Sequence, residues 1–306
     1  MVKKSLKIIR ACFIGVIIIV FIKTFFLEIY IIPSDSMAPT IQRGDIILVN
    51  KFAYELRMIW GDKTRRLFKV RPPVANDIVV FNFPEGDSIY AKHPEVNFYR
   101  HVRNTGRKHA LRDTLFLGRL VRIELNDRQP FVKRLVAVPG DTFLIKDRDF
   151  AMFSEARRGS YDSLLNPGLV KERHFFKDIF PYDQRYRWSF MDFGPMVVPG
   201  KDRKMPLNSH TLPLYRKIIE TYEENDLKQE GENIYINGKK STSYKFRQDY
   251  YFMKGENKYD SFDSRFWGFV PENHVVGRAE LIVFSIDLEK SGWDRIRTER
   301  CFKLLE

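Results

Sequence analysis

The chain has 306 residues and a formal net charge of +13, and 44% of its residues are hydrophobic. The basic residues are scattered among acidic ones, and no helix-turn-helix, zinc-finger or RNP pattern accompanies them, which excludes the common nucleic-acid-binding classes and favours attraction to anionic lipid headgroups. The two cysteines, Cys12 and Cys301, predict no disulfide, and the histidines lack metal-ligand spacing. We therefore expect no cofactor, no metal and no nucleic acid partner.

The first predicted element is an apolar segment, residues 8–32, which is long enough for one transmembrane helix. Its charged residues, Arg10, Lys23 and Glu28, lie away from the middle. A cleaved secretory signal is the alternative, but the segment exceeds a usual signal core and no Ala-X-Ala pattern follows it. Basic residues precede the segment, so residues 1–7 are predicted to be cytoplasmic and the rest of the chain to lie across the membrane.

Short runs rich in Val, Ile and Phe predict strands at residues 46–49, 78–83, 131–138, 250–253 and 281–286. Gly-Asp and Pro-Gly pairs punctuate them and suit the turns of an antiparallel, barrel-like assembly, and Asp45 after Gly44 is most simply a turn residue. Apolar residues at four-residue spacing predict a helix over 214–222, and Asn237-Gly238 predicts a hairpin turn. Residues 86–129 and 147–248 are predicted insertions into this β framework, and a polar tail from residue 289 is predicted to be a solvated helix or an extension.

Two residues suggest the chemistry. Ser36 follows the apolar segment closely, and a serine at a bilayer surface can act on membrane-bound substrates, but a serine nucleophile needs a base. No histidine lies in a recognisable triad signature. In an extended strand Lys133 shares its face with Phe131 and Leu135, whereas Arg134 points to the other side. Because desolvation lowers the pKa of a lysine, Lys133 is a candidate base, although an ordinary pair of surface charges is the alternative.

Three motifs carry a family resemblance. Residues 34–40 (SDSMAPT), residues 133–136 (KRLV) leading into 139–141 (PGD), and residues 255–271 (GENKYDSFDSRFWGFVP) occur in this order behind the apolar segment. In these motifs the chain resembles the bacterial type I signal peptidases, and residues 277–279 (GRA) also fit. Some positions depart from the family pattern. Glu256, Lys258 and Asp260 replace Asp, Arg and Asn, and Ala75-Asn76-Asp77 stands where Arg-Gly-Asp is common.

The resemblance implies a serine protease with a Ser/Lys dyad, in which Ser36 is the nucleophile and Lys133 the general base. It implies that the hydroxyl of Ser34, beside the backbone N–H of Ser36, forms an oxyanion hole, and that Ser261 orients the Lys133 amine. It further implies that two other residues form an ion pair that braces the wall of the active site, namely Asp263 and Arg265.

The fold implied is mainly β: a signal-peptidase-type antiparallel β-barrel-like catalytic domain with an inserted α+β subdomain, preceded by one N-terminal transmembrane helix. The predicted catalytic domain comprises residues 33–146 and 249–288, with an insertion at 86–129; residues 147–248 form the accessory subdomain, and residues 289–306 the tail.

The implied partners are signal-peptide-bearing preproteins and membrane lipids. We expect a monomeric enzyme on the extracytoplasmic face of the bacterial plasma membrane, cutting after small residues such as alanine. Two other functions are weighed against this one. A self-cleaving repressor-type protease shares the Ser/Lys chemistry but lacks the apolar segment. A catalytically silent, membrane-tethered binding protein for export substrates would keep its function without Ser36.

Overall fold

The computed structural model describes residues 10, 12–18, 23, 25–60, 63–146, 149–153, 178–257 and 260–306. Its strands, in chain order, are β1 (Leu27–Ile31), β2 (Asp45–Asn50), β3 (Glu55–Trp60), β4 (Lys63–Lys69), β5 (Ile78–Asn82), β6 (Ser88–Tyr90), β7 (Leu120–Arg122), β8 (Pro130–Ala137), β9 (Thr142–Lys146), β10 (Asp149–Phe153), β11 (Phe193–Val197), β12 (Lys204–Pro206), β13 (Leu227–Glu230), β14 (Asn233–Ile236), β15 (Lys239–Lys240), β16 (Ser243–Lys245), β17 (Tyr250–Lys254), β18 (Val270–Pro271), β19 (Val275–Ser285) and β20 (Lys303–Leu304). Beyond residue 25, the α-helices in the described part of the chain are α1 (Phe98–Thr105), α2 (Arg107–Arg112), α3 (Thr114–Leu117), α4 (Leu212–Lys217) and α5 (Ser264–Trp267).

An antiparallel sheet with the order β1-β2-β19-β5-β8-β17-β18 is the frame of the molecule, and β20 pairs with β19. The five predicted strands are confirmed; the last of them begins earlier than expected, at Val275. Helix α4 continues as a π-helix from Ile218 to Tyr222, which matches the predicted helix in its position. Asn237 and Gly238 both have positive φ between β14 and β15, the conformation of a two-residue hairpin turn. The mainly β prediction is therefore confirmed.

The last part of the predicted transmembrane segment is a strand. Residues 27–31 form strand β1, in which Ile29 lies opposite Leu48 of β2, so the predicted boundary at residue 32 is wrong. An Ile-rich apolar run suits a strand as well as a helix, and hydropathy alone does not separate the two. Residues 8, 9, 11, 19–22 and 24 of the predicted segment lie outside the described residues. Within the described residues, no helix combines the length and the apolar composition that a bilayer span requires.

The two predicted insertions differ in how they pack. Within 86–129, strands β6 and β7 pair, and a small core of Tyr90, Phe98 and Ala110 holds helices α1 and α2 against them. In the second region β9 pairs with both β10 and β11, so the predicted boundary at residue 147 cuts through a sheet. One apolar cluster also runs from Ala137 of β8 into this region. The accessory region is therefore continuous in its packing with the main sheet. Residues 147, 148 and 154–177 of it lie outside the described residues.

The C-terminal tail is docked on the main sheet, so of the two expectations, a solvated helix or an extension, the solvated helix is wrong. Strand β20 pairs with β19, and Arg300 is buried. The guanidinium of Arg300 donates to both carboxylate oxygens of Asp45, at 3.1 and 2.5 Å. Asp45 is fully buried as the first residue of β2, so it is more than the turn residue that the sequence suggested.

Candidate active site

Ser36 lies in the loop between β1 and β2, at the edge of the main sheet. Two contacts tie the loop to itself and to the sheet: Asp35 Oδ1 accepts a hydrogen bond from the backbone N–H of Arg43 at 2.9 Å, and Met37 is buried in the core. The hydroxyl of Ser36 is thereby directed at Lys133, whose Nζ donates to Ser36 Oγ at 2.6 Å. The two residues are 97 positions apart in the sequence: Ser36 comes from the loop after β1, and Lys133 from strand β8 of the same sheet.

Lys133 is buried, with only 4% of its surface exposed. Strand β8 presents it beside Phe131, whose ring lies 5.7 Å from Nζ, and Nζ also donates to the carbonyl oxygen of Val132 at 3.1 Å. Burial lowers the pKa of Lys133 to about 8, although the carboxylates of Asp263 and Asp260 act in the opposite direction. A substantial fraction of Lys133 is therefore neutral near pH 8, and a neutral amine can accept the proton of Ser36.

The hydroxyl of Ser34 lies next to this pair. Its Oγ donates to Ser36 Oγ at 3.4 Å, and the side chain is exposed to the cavity in front of the site. A hydroxyl there can rotate toward another acceptor when one enters, because a serine O–H is a rotatable donor. The position is compatible with the oxyanion role that the family resemblance implies.

A cavity of about 300 Å³ opens in front of Ser36 and Lys133. On one side it is bounded by residues 30–33 at the end of β1, and on the other by residues 129–132 at the start of β8, with Phe262 and Asp260 at the rim. No described strand pairs with the outer edge of β1, and β8 meets β17 only from Arg134 onward. Both walls therefore offer unpaired backbone groups to an extended chain.

Ser261, Asp263 and Arg265 are packed behind Lys133. Asp263 and Arg265 form a buried ion pair with two hydrogen bonds, Nε to Oδ1 at 2.8 Å and Nη2 to Oδ2 at 2.7 Å. The Ser261 hydroxyl donates to Asp263 Oδ2 at 2.9 Å, while the hydrogen bonds of Lys133 run to Ser36 and Val132. The implied role of Ser261 toward the Lys133 amine stays a prediction.

Two further residues of the third motif, Asn257 and Gly255, lie against the nucleophile loop, and neither was among the candidate site residues. The backbone N–H of Asn257 donates to the carbonyl oxygen of Ser36 at 3.2 Å, and its side-chain amide donates to the carbonyl of Asp35 at 3.3 Å. A Cβ on Gly255 would lie 1.9 Å from Ser261 Oγ and 2.6 Å from the Ser36 carbonyl oxygen. Only glycine therefore fits between these two groups. The motif itself was the available signal, since it contains both residues.

At two positions where the sequence departs from the family pattern, Asn76 and Glu256, the structure shows how the residue present is accommodated. Asn76 has a φ of 76°, a left-handed conformation that glycine adopts freely and asparagine tolerates better than most residues. Glu256 accepts a hydrogen bond from Arg134 Nε at 2.7 Å, so a carboxylate one methylene longer than aspartate still pairs with the cation on the outer face of β8. Asn76 and Glu256 therefore both fit the local backbone and charge environment that this chain provides.

Sequence comparison with known proteins identifies a family of serine peptidases. The family model of the signal peptidases, peptidase S26, matches residues 5–152 and 197–284. The Signal peptidase I of Aquifex aeolicus is 24% identical over 89% of this chain and 82% of its own length. The Signal peptidase I of Helicobacter pylori strain J99 is 27% identical over 96% of this chain and 91% of its own length, and that of Buchnera aphidicola from Schizaphis graminum is 25% identical over 90% and 74%. Because the matched regions contain all three motifs and make up most of the chain, the resemblance inferred from the sequence is confirmed, and this chain belongs to the signal peptidase family, peptidase S26.

Proposed function

We propose that this chain is a membrane-anchored serine endopeptidase that removes signal peptides from exported bacterial preproteins, with Ser36 as nucleophile and Lys133 as general base. The observation that carries the proposal is the 2.6 Å hydrogen bond between a buried lysine and a serine hydroxyl beside an open cavity. The apolar segment 8–32, shortened by strand β1 at its C-terminal end, supplies the anchor, with the catalytic domain on the extracytoplasmic face.

The reaction follows from the positions of the groups. Neutral Lys133 takes the proton of Ser36 Oγ as the oxygen attacks the scissile carbonyl carbon. The C–N bond then breaks, Lys133 delivers the proton to the departing amine, and an ester to Ser36 remains. Lys133 next deprotonates a water molecule that attacks this ester, and the serine is regenerated. Ser34 and the backbone N–H of Ser36 stabilise the oxyanion in both steps.

The substrate would bind as an extended strand. An extended peptide placed between β1 and β8 can pair with the free edges of both, and such pairing aligns a backbone carbonyl with Ser36. The apolar side chains of Ile32 and Met37 and the ring of Phe131 line the cavity, which suits small apolar residues near the cut.

The direct test is cleavage of a fluorogenic peptide that contains an Ala-X-Ala junction by the full chain in detergent. We expect a cut after the second alanine, mapped by mass spectrometry. A peptide with both alanines replaced by lysine is the control and is expected to stay intact. If neither the peptide nor a full preprotein in lipid vesicles is cut, the enzyme assignment fails and the silent binding protein takes its place.

The rate should rise with pH through the pKa of Lys133. Because only the neutral amine can accept the Ser36 proton, and burial lowers its pKa to about 8, kcat/KM is expected to be low at pH 6 and to level off above the pKa of Lys133. In Asp260→Asn one of the opposing carboxylates is removed, so the midpoint is expected to move to lower pH. A kcat/KM that does not change between pH 6 and 9 would contradict the assignment of Lys133 as the base.

Removing the Ser34 hydroxyl tests the oxyanion hole. Ser34→Ala is expected to lower kcat by roughly 10²- to 10³-fold with little change in KM, because an oxyanion donor acts mainly in the transition state. Ser34→Thr keeps a hydroxyl and is expected to retain much more activity. Steady-state kinetics on the peptide measure both variants, and an equal loss in the two would point to a loop defect instead.

A further inference from the structure

The insertion 86–129 carries an apolar tip that points away from its own core. Ala110 and Phe98 face inward and bury the inner sides of α1 and α2. On the outer side Leu111, Leu115 and Phe116 are 44%, 81% and 78% exposed. We call these three side chains the apolar tip. Large apolar side chains that cluster at such exposure mark an interaction surface.

Basic residues flank this tip in the sequence. Arg107, Lys108, Arg112 and Arg119 are all exposed, and none of them forms an ion pair with a residue that the structure describes. The nearest acidic residue in the sequence, Asp113, already contacts His101 Nε2 at 3.0 Å. The segment therefore combines exposed apolar side chains with exposed cations that are close to them in the sequence.

The insertion leaves the main sheet at the end where the N-terminal segment enters it. Successive strands alternate in direction, so the end of β5, the start of β8 and the start of β1 lie at the same end of the sheet. A second cavity is lined by residues from both parts of the chain: Phe25 and Glu28 come from the N-terminal side, Asn82 ends β5, and Asn126 belongs to the insertion. The base of the insertion is thus close to the apolar N-terminal segment.

We propose that the apolar tip and its four cations dock into the headgroup layer of an anionic phospholipid bilayer. The cations draw the insertion to the negative surface, and the leucine and phenylalanine side chains enter the boundary between headgroups and acyl chains. With the N-terminal segment in the same bilayer, this second contact fixes how the domain sits on the membrane, and with it the height of the cavity above the surface. The contact involves none of the groups proposed for catalysis.

Fluorescence quenching in lipid vesicles tests the docking on the full chain. Phe116→Trp places a reporter in the tip, and Lys240→Trp places a matched reporter in the exposed hairpin after β14. Both variants are reconstituted into phosphatidylcholine vesicles with or without phosphatidylglycerol, with bromine atoms on the acyl chains as quenchers. The wild-type signal from the four native tryptophans is subtracted. We expect quenching of the tip reporter that depends on phosphatidylglycerol and falls at high salt, and none of the hairpin reporter.

A charge variant tests whether the four cations are needed for the docking. Replacing Arg107, Lys108, Arg112 and Arg119 together by glutamine in the Phe116→Trp protein is expected to abolish the quenching, because each cation near an anionic surface changes the docking constant about fivefold. The proposal is overturned if the two reporters are quenched alike or if phosphatidylglycerol has no effect. A blue shift that grows with protein concentration in lipid-free detergent would assign the tip to a second copy of the chain. All these variants are expected to cut the soluble peptide in detergent as the wild type does. If the wild type itself does not cut the peptide, that result contradicts the proposed function and leaves the docking proposal to be decided by the quenching data.

Discussion

Ser36→Ala is expected to lower kcat by roughly 10⁴- to 10⁶-fold, with peptide binding retained. The hydroxyl is the only group that we propose to bond to the substrate carbon, so its removal leaves only uncatalysed attack by water, aided by the oxyanion donors. Cleavage of the Ala-X-Ala peptide, followed by mass spectrometry over long incubation, measures the remaining rate. In a catalytically silent binding protein, Ser36→Ala would change neither the peptide affinity nor the background rate of cleavage.

Lys133→Met is expected to lower kcat as much as Ser36→Ala does, because an unactivated serine is a poor nucleophile near neutral pH. Methionine matches the length of the lysine stem and suits the apolar surroundings of β8, so the fold is expected to persist. The variant with both substitutions should be no slower than either single variant, since the two groups act as one unit. If the two residues acted independently, the fold-losses in kcat of the single variants would multiply in the double variant. That result would contradict the dyad.

Lys133→Arg distinguishes a base from a fixed positive charge. Arginine keeps the charge but does not lose its proton in proteins, so it cannot accept one from Ser36. We expect this variant to be inactive at every pH, whereas a purely electrostatic role would leave partial activity. Ser291→Ala and Lys146→Met are the matched controls, since both residues are exposed, and both variants are expected to cleave at the wild-type rate.

The local environment of Lys133 could be predicted from the sequence because it depends on strand periodicity. A lysine that alternates with Phe131 and Leu135 lies on their face of the strand, and the turn residues that follow fix the strand's end. The strands were predictable for the same reason, since runs rich in Val, Ile and Phe suit a pleated, buried surface.

Features that depend on distant partners were not predictable in this way. The boundary of β1 is set by its pairing with β2, because the same residues, taken alone, suit a helix or a strand. Gly255 is required because Ser261 and the Ser36 carbonyl approach it closely in space, which no spacing in the sequence reveals. Asp45 appeared to be a turn residue because its partner, Arg300, is 255 positions away. Periodicity reports which face a residue occupies and carries no information on which residue lies opposite.

The ion pair between Asp45 and Arg300 couples the C-terminal tail to the loop that carries Ser36. Asp45 Oδ2 accepts from the backbone N–H of Gln42 at 2.8 Å, and Arg300 Nη2 donates to the carbonyl of Thr40 at 2.9 Å. Ser285 donates to Asp45 Oδ1 at 2.6 Å. Carboxylate and guanidinium thus each hold one backbone group of the nucleophile loop.

Arg300→Met is therefore expected to lower the free energy of unfolding by about 3–5 kcal/mol, because it leaves the carboxylate of Asp45 buried without its main counter-charge. Chemical denaturation of the full chain in detergent measures the change. Arg295→Met, in the same tail but exposed, is the control and is expected to change stability by less than about 0.5 kcal/mol. A double variant, Asp45→Asn with Arg300→Met, should be more stable than Arg300→Met alone, since the buried carboxylate charge is gone and Arg297, the other cation beside Asp45, keeps its hydrogen bonds to Gln42 and to the carbonyl oxygens of Arg43 and Ile286.

The same pair gives the loss of stability a definite pH dependence. Burial alone would raise the pKa of Asp45, but hydrogen bonds from Arg300, Gln42 and Ser285 hold it below its usual value. A carboxyl group whose pKa is lower in the folded than in the unfolded state contributes stability at neutral pH, and the contribution is lost as the pH falls through the folded value. The difference in stability between the wild type and the double variant should therefore be constant from pH 8 to 6 and shrink only in acid, as the pH falls from the ordinary pKa of an aspartate, about 4, toward the lower pKa of folded Asp45. A difference that already shrinks near pH 6 would mean that Asp45 titrates above its ordinary range, and that the pair does not hold the nucleophile loop as proposed.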